Sequence, residues 1–304
     1  MNYRELILQL TPLRGDGEAR AIVRMVLEER FGLSQTDLLL GKDTTLSADD
    51  RKEFEKIAQR LLSGEPVQYI LGFADFCGHR FRVAPEVLIP RPETEELVRR
   101  ALDSLTAESA AGTSEEGNPS KQRFLDLCTG SGCIAISLAL ACPEANVVGI
   151  DISEPALAVA RQNAIDLGAG NVTFRQQDIL TNSDCTSFEV PEVSSTTPKK
   201  GFSLIISNPP YVRDSEAAEM EATVLDHEPH LALFVPDDDP LRFYNAIAAI
   251  ARQALLPGGR LFVEINAGLS KETQKLFIDK GFCDVALHHD TFGRPRIVEA
   301  SQPI

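Results

Sequence analysis

The chain comprises 304 residues, 43% of them hydrophobic and 25% charged, a balance that supports a buried core and excludes a disordered or collagen-like chain. Asp and Glu number 45 against 30 Lys and Arg, so the formal net charge is −15. Such a chain draws no general electrostatic help in holding a phosphate backbone, which counts against coating DNA or RNA.

Residues 1–72 read as a helical domain. Asp16 can cap a helix running to Phe31, with Ile22, Val23, Val26 and Leu27 on one face and Gly32 as the stop. Ser47 can cap another, in which Phe54, Ile57, Ala58, Leu61 and Leu62 recur at helical spacing before Gly64. Each apolar stripe needs a partner, so a small bundle is the economical arrangement. Residues 73–92 follow, with aromatic and branched side chains set around Gly72 and Gly78, and read as a β-hairpin connector.

From 93 to 304 the pattern predicts an α/β domain. A helix from 93 to about 105 leads into a small-residue polar stretch, 106–121, that reads as a surface loop. Strands are predicted at 123–128, 146–151, 171–176, 202–207 and 260–265. Helices are predicted from Cys133, over 154–167, over 241–255 and over 270–280. Alternation of this kind implies a parallel sheet covered on both faces. Residues 185–200, rich in Ser, Thr and Pro, read as a second insertion.

Cys77, Cys128, Cys133, Cys142, Cys185 and Cys283 form no C-x-x-C pair and read as reduced, buried thiols. No apolar run approaches the roughly eighteen residues of a membrane-spanning helix. The N-terminal stretch has neither a basic leader nor a small-residue cleavage site, so a cytoplasmic protein without membrane contact is expected.

The first chemical signal is Asp126-Leu127-Cys128-Thr129-Gly130-Ser131-Gly132, which joins a predicted strand to a predicted helix. Glycines let the backbone approach a ligand, and the helix start offers unpaired N–H groups. With Asp151 nineteen residues beyond Gly132, the loop fits a dinucleotide fingerprint as well as an S-adenosylmethionine site. Asp126 favours the second, because a carboxylate there would repel a pyrophosphate and attract the ammonium of a methionyl group. Asp151 would then accept from the ribose hydroxyls. Asp178 would meet the adenine amino group, with Ile179 against the ring.

The second signal is Asn208-Pro209-Pro210-Tyr211 at the end of the apolar run 202–207. Ligands of open α/β sheets sit at the carboxyl ends of strands, which is where this tetrapeptide falls. Neither proline has an N–H, so the stretch offers acceptors without a competing donor. The Asn208 side-chain oxygen and the Pro209 carbonyl can take the two N–H bonds of a planar NH₂ group. That would fix its nitrogen toward a methyl donor and favour the charge developing on it. Tyr211 can lie against the planar group and exclude water.

Together these segments resemble the class I, seven-stranded S-adenosylmethionine-dependent methyltransferases, and within them the HemK/PrmC family, which methylates a glutamine amide in protein release factors. The blocks that carry the likeness are 65–72, 88–98, 126–139, 207–211, 227–233 and 293–298, so it spans nearly the whole chain. The resemblance implies a Rossmann-like sheet preceded by a helical substrate-recognition domain. It implies that Cys128, Thr129, Gly130, Ser131, Gly132, Asp151, Ile179 and Asn208 line the cofactor, and Asp126 and Asp178, placed by the charge argument above, complete the expected set. Asn208, Pro209, Pro210 and Tyr211 would hold the glutamine amide of class I release factors. The chain departs from the family pattern after the fifth strand, where Glu264-Ile265-Asn266 is followed by Leu269 in place of glutamine.

A ribosomal-protein glutamine methyltransferase is the second reading. A DNA adenine methyltransferase is the third, since the same tetrapeptide serves an exocyclic NH₂; it would normally bring a basic recognition domain. A nicotinamide dehydrogenase gives no account of Asn208 to Tyr211. His227-Glu228-Pro229-His230 looks like a metal pair, but Pro229 interrupts the helix that would bring both rings together, so no metal is expected. Arg91 and Glu93 fit either a salt-bridged linker or a wall of a peptide channel. A monomer without direct nucleic-acid binding is expected.

Overall fold

The computed structural model describes residues 2–40, 46–110, 122–181 and 201–304, and the chain divides into two compact units. Of the two expected insertions, 185–200 and the part of 106–121 beyond residue 110 lie outside the described residues.

One unit comprises Met1–Phe73 with the short segments Val83–Pro85 and Met220–Glu228. Its N-terminal part forms α1 (Tyr3–Arg14), α2 (Asp16–Phe31), α3 (Gln35–Leu39), α4 (Ala48–Leu62) and α5 (Val67–Leu71). Asn2 and Glu5 make a reciprocal capping box that opens α1. Gly32 closes α2 in the left-handed region, and the Ser47 hydroxyl accepts the Asp50 amide at the start of α4; both are legible in the sequence. Leu6, Leu10, Val23, Val26, Leu27, Ala58 and Leu61 are buried in a single core. Each leucine there contributes roughly 1.5–3 kcal/mol by burial.

The other unit begins at Ala74, within a hairpin of β1 (Phe73–Phe76) and β2 (His79–Arg82) that turns at Cys77 and Gly78. Helix α6 (Pro92–Ala110) continues past the predicted end at 105, because Ala107 and Ala110 favour helix more than the polar look of the stretch suggests. There follow β3 (Arg123–Leu127), α7 (Cys133–Ala141), β4 (Asn146–Asp151), α8 (Glu154–Leu167), β5 (Val172–Gln176) and β6 (Phe202–Ser207). Next come β7 (Val212–Arg213), α9 (Ala222–His227, grouped with the helical unit) and β8 (Phe234–Val235). The chain closes with α10 (Arg242–Ala254), β9 (Leu255–Glu264), α11 (Ser270–Asp279), β10 (Cys283–His289) and β11 (Pro295–Ser301).

The seven-stranded sheet has the order β10-β11-β9-β6-β3-β4-β5. Strands β5, β4, β3, β6 and β9 pair in parallel, while β11 runs antiparallel to both β9 and β10. Alternate residues feed two cores. Leu125, Leu127, Ile205, Leu261 and Val263 pack with α10 and α11 on one face. Phe124, Leu204, Ile206 and Phe262 pack with α6 and α7 on the other. The chain leaves β3 toward β4 and β5, then returns to β6 on the opposite side of β3. This switch opens a crevice at the carboxyl ends of β3 and β6.

No described helix is long and apolar enough to cross a membrane. The described cysteines are free thiols, but only Cys133 is buried; Cys283 is exposed at the start of β10, against the expectation of burial.

Candidate active site

The glycine loop is built from beneath by Asp126. This carboxylate is fully buried, its Oδ2 accepting the Thr129 hydroxyl at 2.5 Å and the Ala135 amide at 3.2 Å, so it ties the loop to the first turn of α7. Its Oδ1 has no hydrogen-bond partner among the described residues. Burial raises the carboxyl pKa to about 7, against the pull of Thr129 and Ala135. Above it Cys128 is held at φ 62°, Gly130 at 54° and Gly132 at 79°. A side chain at Gly132 would press within about 3 Å of Ala160 and Phe174, whereas a Cβ at Gly130 would meet no protein atom within 4 Å. Gly132 therefore serves packing, and Gly130 leaves open space for a ligand.

At the end of β4, Asp151 Oδ2 accepts the Gly130 amide at 2.8 Å and Oδ1 accepts the Ser153 amide at 2.9 Å. Burial raises its pKa, and those backbone N–H groups oppose the rise. Beyond β5, Asp178 accepts the Leu180 amide at 2.9 Å and the Thr181 hydroxyl at 3.0 Å, while Ile179 packs into the sheet core. The carboxylates thus fix the loops that carry them and retain further acceptor capacity.

Where β6 ends, the Ser207 hydroxyl donates to the Leu127 carbonyl at 2.6 Å and locks the two strand ends together. Asn208 Nδ2 donates to Thr94 Oγ1 at 3.1 Å. That hydroxyl in turn donates to Glu264 Oε2 at 2.7 Å, and Tyr211 donates its hydroxyl to Glu264 Oε1 at 2.9 Å. Asn266, the departure seen after the fifth strand, donates to the Tyr211 carbonyl at 3.1 Å and to Glu216 at 2.8 Å. Its own amide donates to the Tyr244 hydroxyl at 3.2 Å. Tyr211 is held at both ends, hydroxyl and carbonyl, by residues at the end of β9.

One cavity joins these parts. Cys128, Thr129, Gly130, Ser131, Asp151, Asp178, Ile179, Asn208 and Pro210 all reach its wall. Asp126, Gly132, Pro209 and Tyr211 do not: Asp126 and Gly132 sit under the loop, and the Tyr211 ring packs against the sheet core. Sequence reasoning singled out Arg91, which lines the cavity, and missed Glu86, Thr94, Ile152 and Phe243. Among the described lining residues Arg91 is the only cation, against the acids Glu86, Asp151 and Asp178. Acids and apolar side chains of this kind suit a cationic ligand bearing hydroxyls and a flat ring. They do not suit a pyrophosphate.

A doubly wound sheet with an acidic, glycine-lined crevice at its switch point defines the class, and the chain matches the methyltransferase domain over residues 118–275. Residues 9–72 match the PrmC N-terminal domain. The release factor glutamine methyltransferase of Bacteroides thetaiotaomicron is 46% identical over 94% of this chain and 93% of its own length. That of Flavobacterium psychrophilum is 38% identical over 99% of this chain and 98% of its own. Among solved structures, the ribosomal protein L11 methylase of Lactobacillus delbrueckii subsp. bulgaricus is 15% identical, covering 74% of this chain and 86% of its own at a TM-score of 0.45. The chain belongs to the release factor glutamine methyltransferase family and is a methyltransferase.

Proposed function

We propose that the protein transfers a methyl group from S-adenosylmethionine to the side-chain amide nitrogen of the glutamine in the Gly-Gly-Gln motif of class I peptide chain release factors. The observation that carries this reading is the convergence of Asn208 and Pro210 with the glycine loop and the strand-end acids on one cavity. The names of the relatives supply the substrate class. Such a substrate belongs to translation, hence to the cytoplasm.

Cys128 to Ser131 cradle the methionyl part of the cofactor, Asp151 takes the ribose hydroxyls, and Asp178 with Ile179 takes the adenine. Asp126 supports this cradle from below. When bound, S-adenosylmethionine supplies an electrophilic methyl: the carbon–sulfur bond breaks, its electron pair stays on sulfur, and S-adenosylhomocysteine is the product. The chain's own residues position the acceptor. An amide nitrogen is a poor nucleophile because its lone pair is delocalised into the carbonyl. Asn208 Oδ1 and the Pro209 carbonyl each accept one N–H of the glutamine, which aims the nitrogen and favours the positive charge that grows on it. Pro210 closes the site around the planar amide, while Tyr211, its ring packed against the sheet core and its hydroxyl on Glu264, braces the tetrapeptide. The extra proton leaves to solvent after transfer, so no general base is needed. Residues 1–72 dock the body of the factor, 73–92 connect and lend Glu86 and Arg91 to the cavity wall, and 93–304 carry the rest of the site.

The test offers the protein methyl-labelled cofactor together with an intact class I release factor, ribosomal proteins and duplex DNA. Label on the release factor is the expected result. Label on DNA or a ribosomal protein, with none on the factor, sinks the reading.

A further inference from the structure

We propose that Glu264 and Thr94 are positioning residues that set the direction of the Asn208 side-chain amide and hold Tyr211 beside it. This rests on the proposed role of Asn208 as acceptor for the substrate NH₂. Thr94 and Glu264 are 2% and 1% exposed, so neither hydrogen bond competes with water.

Donors and acceptors fix which way the Asn208 amide faces. An ionised carboxylate only accepts, and here it has two hydroxyl neighbours, one on each oxygen. Burial raises the Glu264 pKa, the Thr94 and Tyr211 hydroxyls and then Arg296 opposing the rise, and it is the geometry, one hydroxyl donor on each oxygen, that marks the group as an acceptor. Thr94 has a single hydroxyl hydrogen, and giving it to Glu264 leaves only lone pairs facing Asn208. Asn208 must therefore present its NH₂ to Thr94, as the 3.1 Å contact records. With Nδ2 turned to Thr94, Oδ1 is the side-chain atom left to accept from a substrate. The reversed amide would aim an NH₂ at the substrate NH₂, two donors facing each other. The same carboxylate fixes the Tyr211 hydroxyl, so one buried group from β9 sets both flanks of the tetrapeptide.

Three substitutions in the full-length protein test this, read by steady-state methyl transfer to the release factor and by calorimetric cofactor affinity. Thr94→Val keeps the shape and removes the hydroxyl; kcat should fall 10- to 100-fold, as about 1.4–2.7 kcal/mol of lost orientation requires, with cofactor affinity within threefold. Thr94→Ser restores the hydroxyl and should recover at least half of the native kcat. In Glu264→Gln one oxygen becomes an NH₂ donor, so either Thr94 or Tyr211 must turn its hydroxyl away; kcat should again fall at least 10-fold at unchanged cofactor affinity. A Thr94→Val enzyme with near-native kcat overturns the proposal, as does a loss that Thr94→Ser fails to recover or one matched by lost cofactor affinity. Asn208→Ala separates the two levels. If it is inactive while Thr94→Val is normal, only the positioning role fails. If it is fully active, the acceptor reading of the site fails first.

Discussion

Asp126 shows how a residue can matter for a site without reaching the cavity wall. Its folded pKa of about 7 lies above the ordinary 3.8, so between those values the folded chain holds a proton that the unfolded chain has lost. The stability this contributes is fully present below the unfolded pKa and disappears as pH rises through the folded one. Asp126→Asn has no such proton to lose. Chemical unfolding of the cofactor-free protein should therefore show the variant gaining on the native chain, by on the order of 1–3 kcal/mol between about pH 5 and about pH 8. A difference that stays flat across this range contradicts the buried, proton-holding carboxylate. Asp151 belongs to the wall itself. If it accepts the two ribose hydroxyls as proposed, replacing it by Ala should weaken cofactor binding about 10- to 100-fold by calorimetry; unchanged affinity would move the ribose site elsewhere. Glycines, strand-end acids and the Asn-Pro-Pro-Tyr stretch were legible as residues because short spacing carries their chemistry. Thr94 and Glu264 were not, since they meet across 170 positions and only the fold joins them.

Among elements, α8 has a task its apolar pattern does not announce. Asn163, 1% exposed on that helix, accepts the Arg82 amide at 2.7 Å and donates to the Arg82 carbonyl at 3.1 Å and the Ser131 carbonyl at 2.9 Å. It bonds strand β2 to the glycine loop through one side chain. Asn163→Ala leaves buried backbone groups unpaired and should cost about 1–3 kcal/mol in urea unfolding, together with weaker cofactor binding because Ser131 lines the cavity. Loss of neither would show that the hairpin and loop are held by packing alone. The parallel strands β3, β4, β5 and β6 could be read from sequence because each is a short apolar or branched run followed by a helix or turn. Strand β9 starts at Leu255, ahead of the predicted 260, since Pro257, Gly258 and Gly259 read as a turn while Leu255 pairs with Phe202. Strands β10 and β11 carry mixed burial, and only the antiparallel register of Ile297 to Ser301 against Glu264 to Arg260 identifies β11 as interior to the sheet.

For the whole molecule, the helical unit and the charge of −15 bear on what it acts upon. A polyanionic duplex gains no general attraction from such a chain. A folded protein substrate, for which we propose residues 1–72 as the docking surface, needs no such attraction. The intact release factor should therefore be methylated with a KM at least about tenfold below that of a short peptide carrying the same motif, the binding energy of a remote surface being used to present the loop. Equal KM values would remove the docking role of residues 1–72. Peptide mapping of a release factor after incubation with the protein and S-adenosylmethionine shows whether a glutamine amide nitrogen is the methyl acceptor. One added methyl is expected, on the side-chain nitrogen of the glutamine in the Gly-Gly-Gln motif. An unmodified glutamine, or a methyl carried by any other residue of the factor, would contradict it.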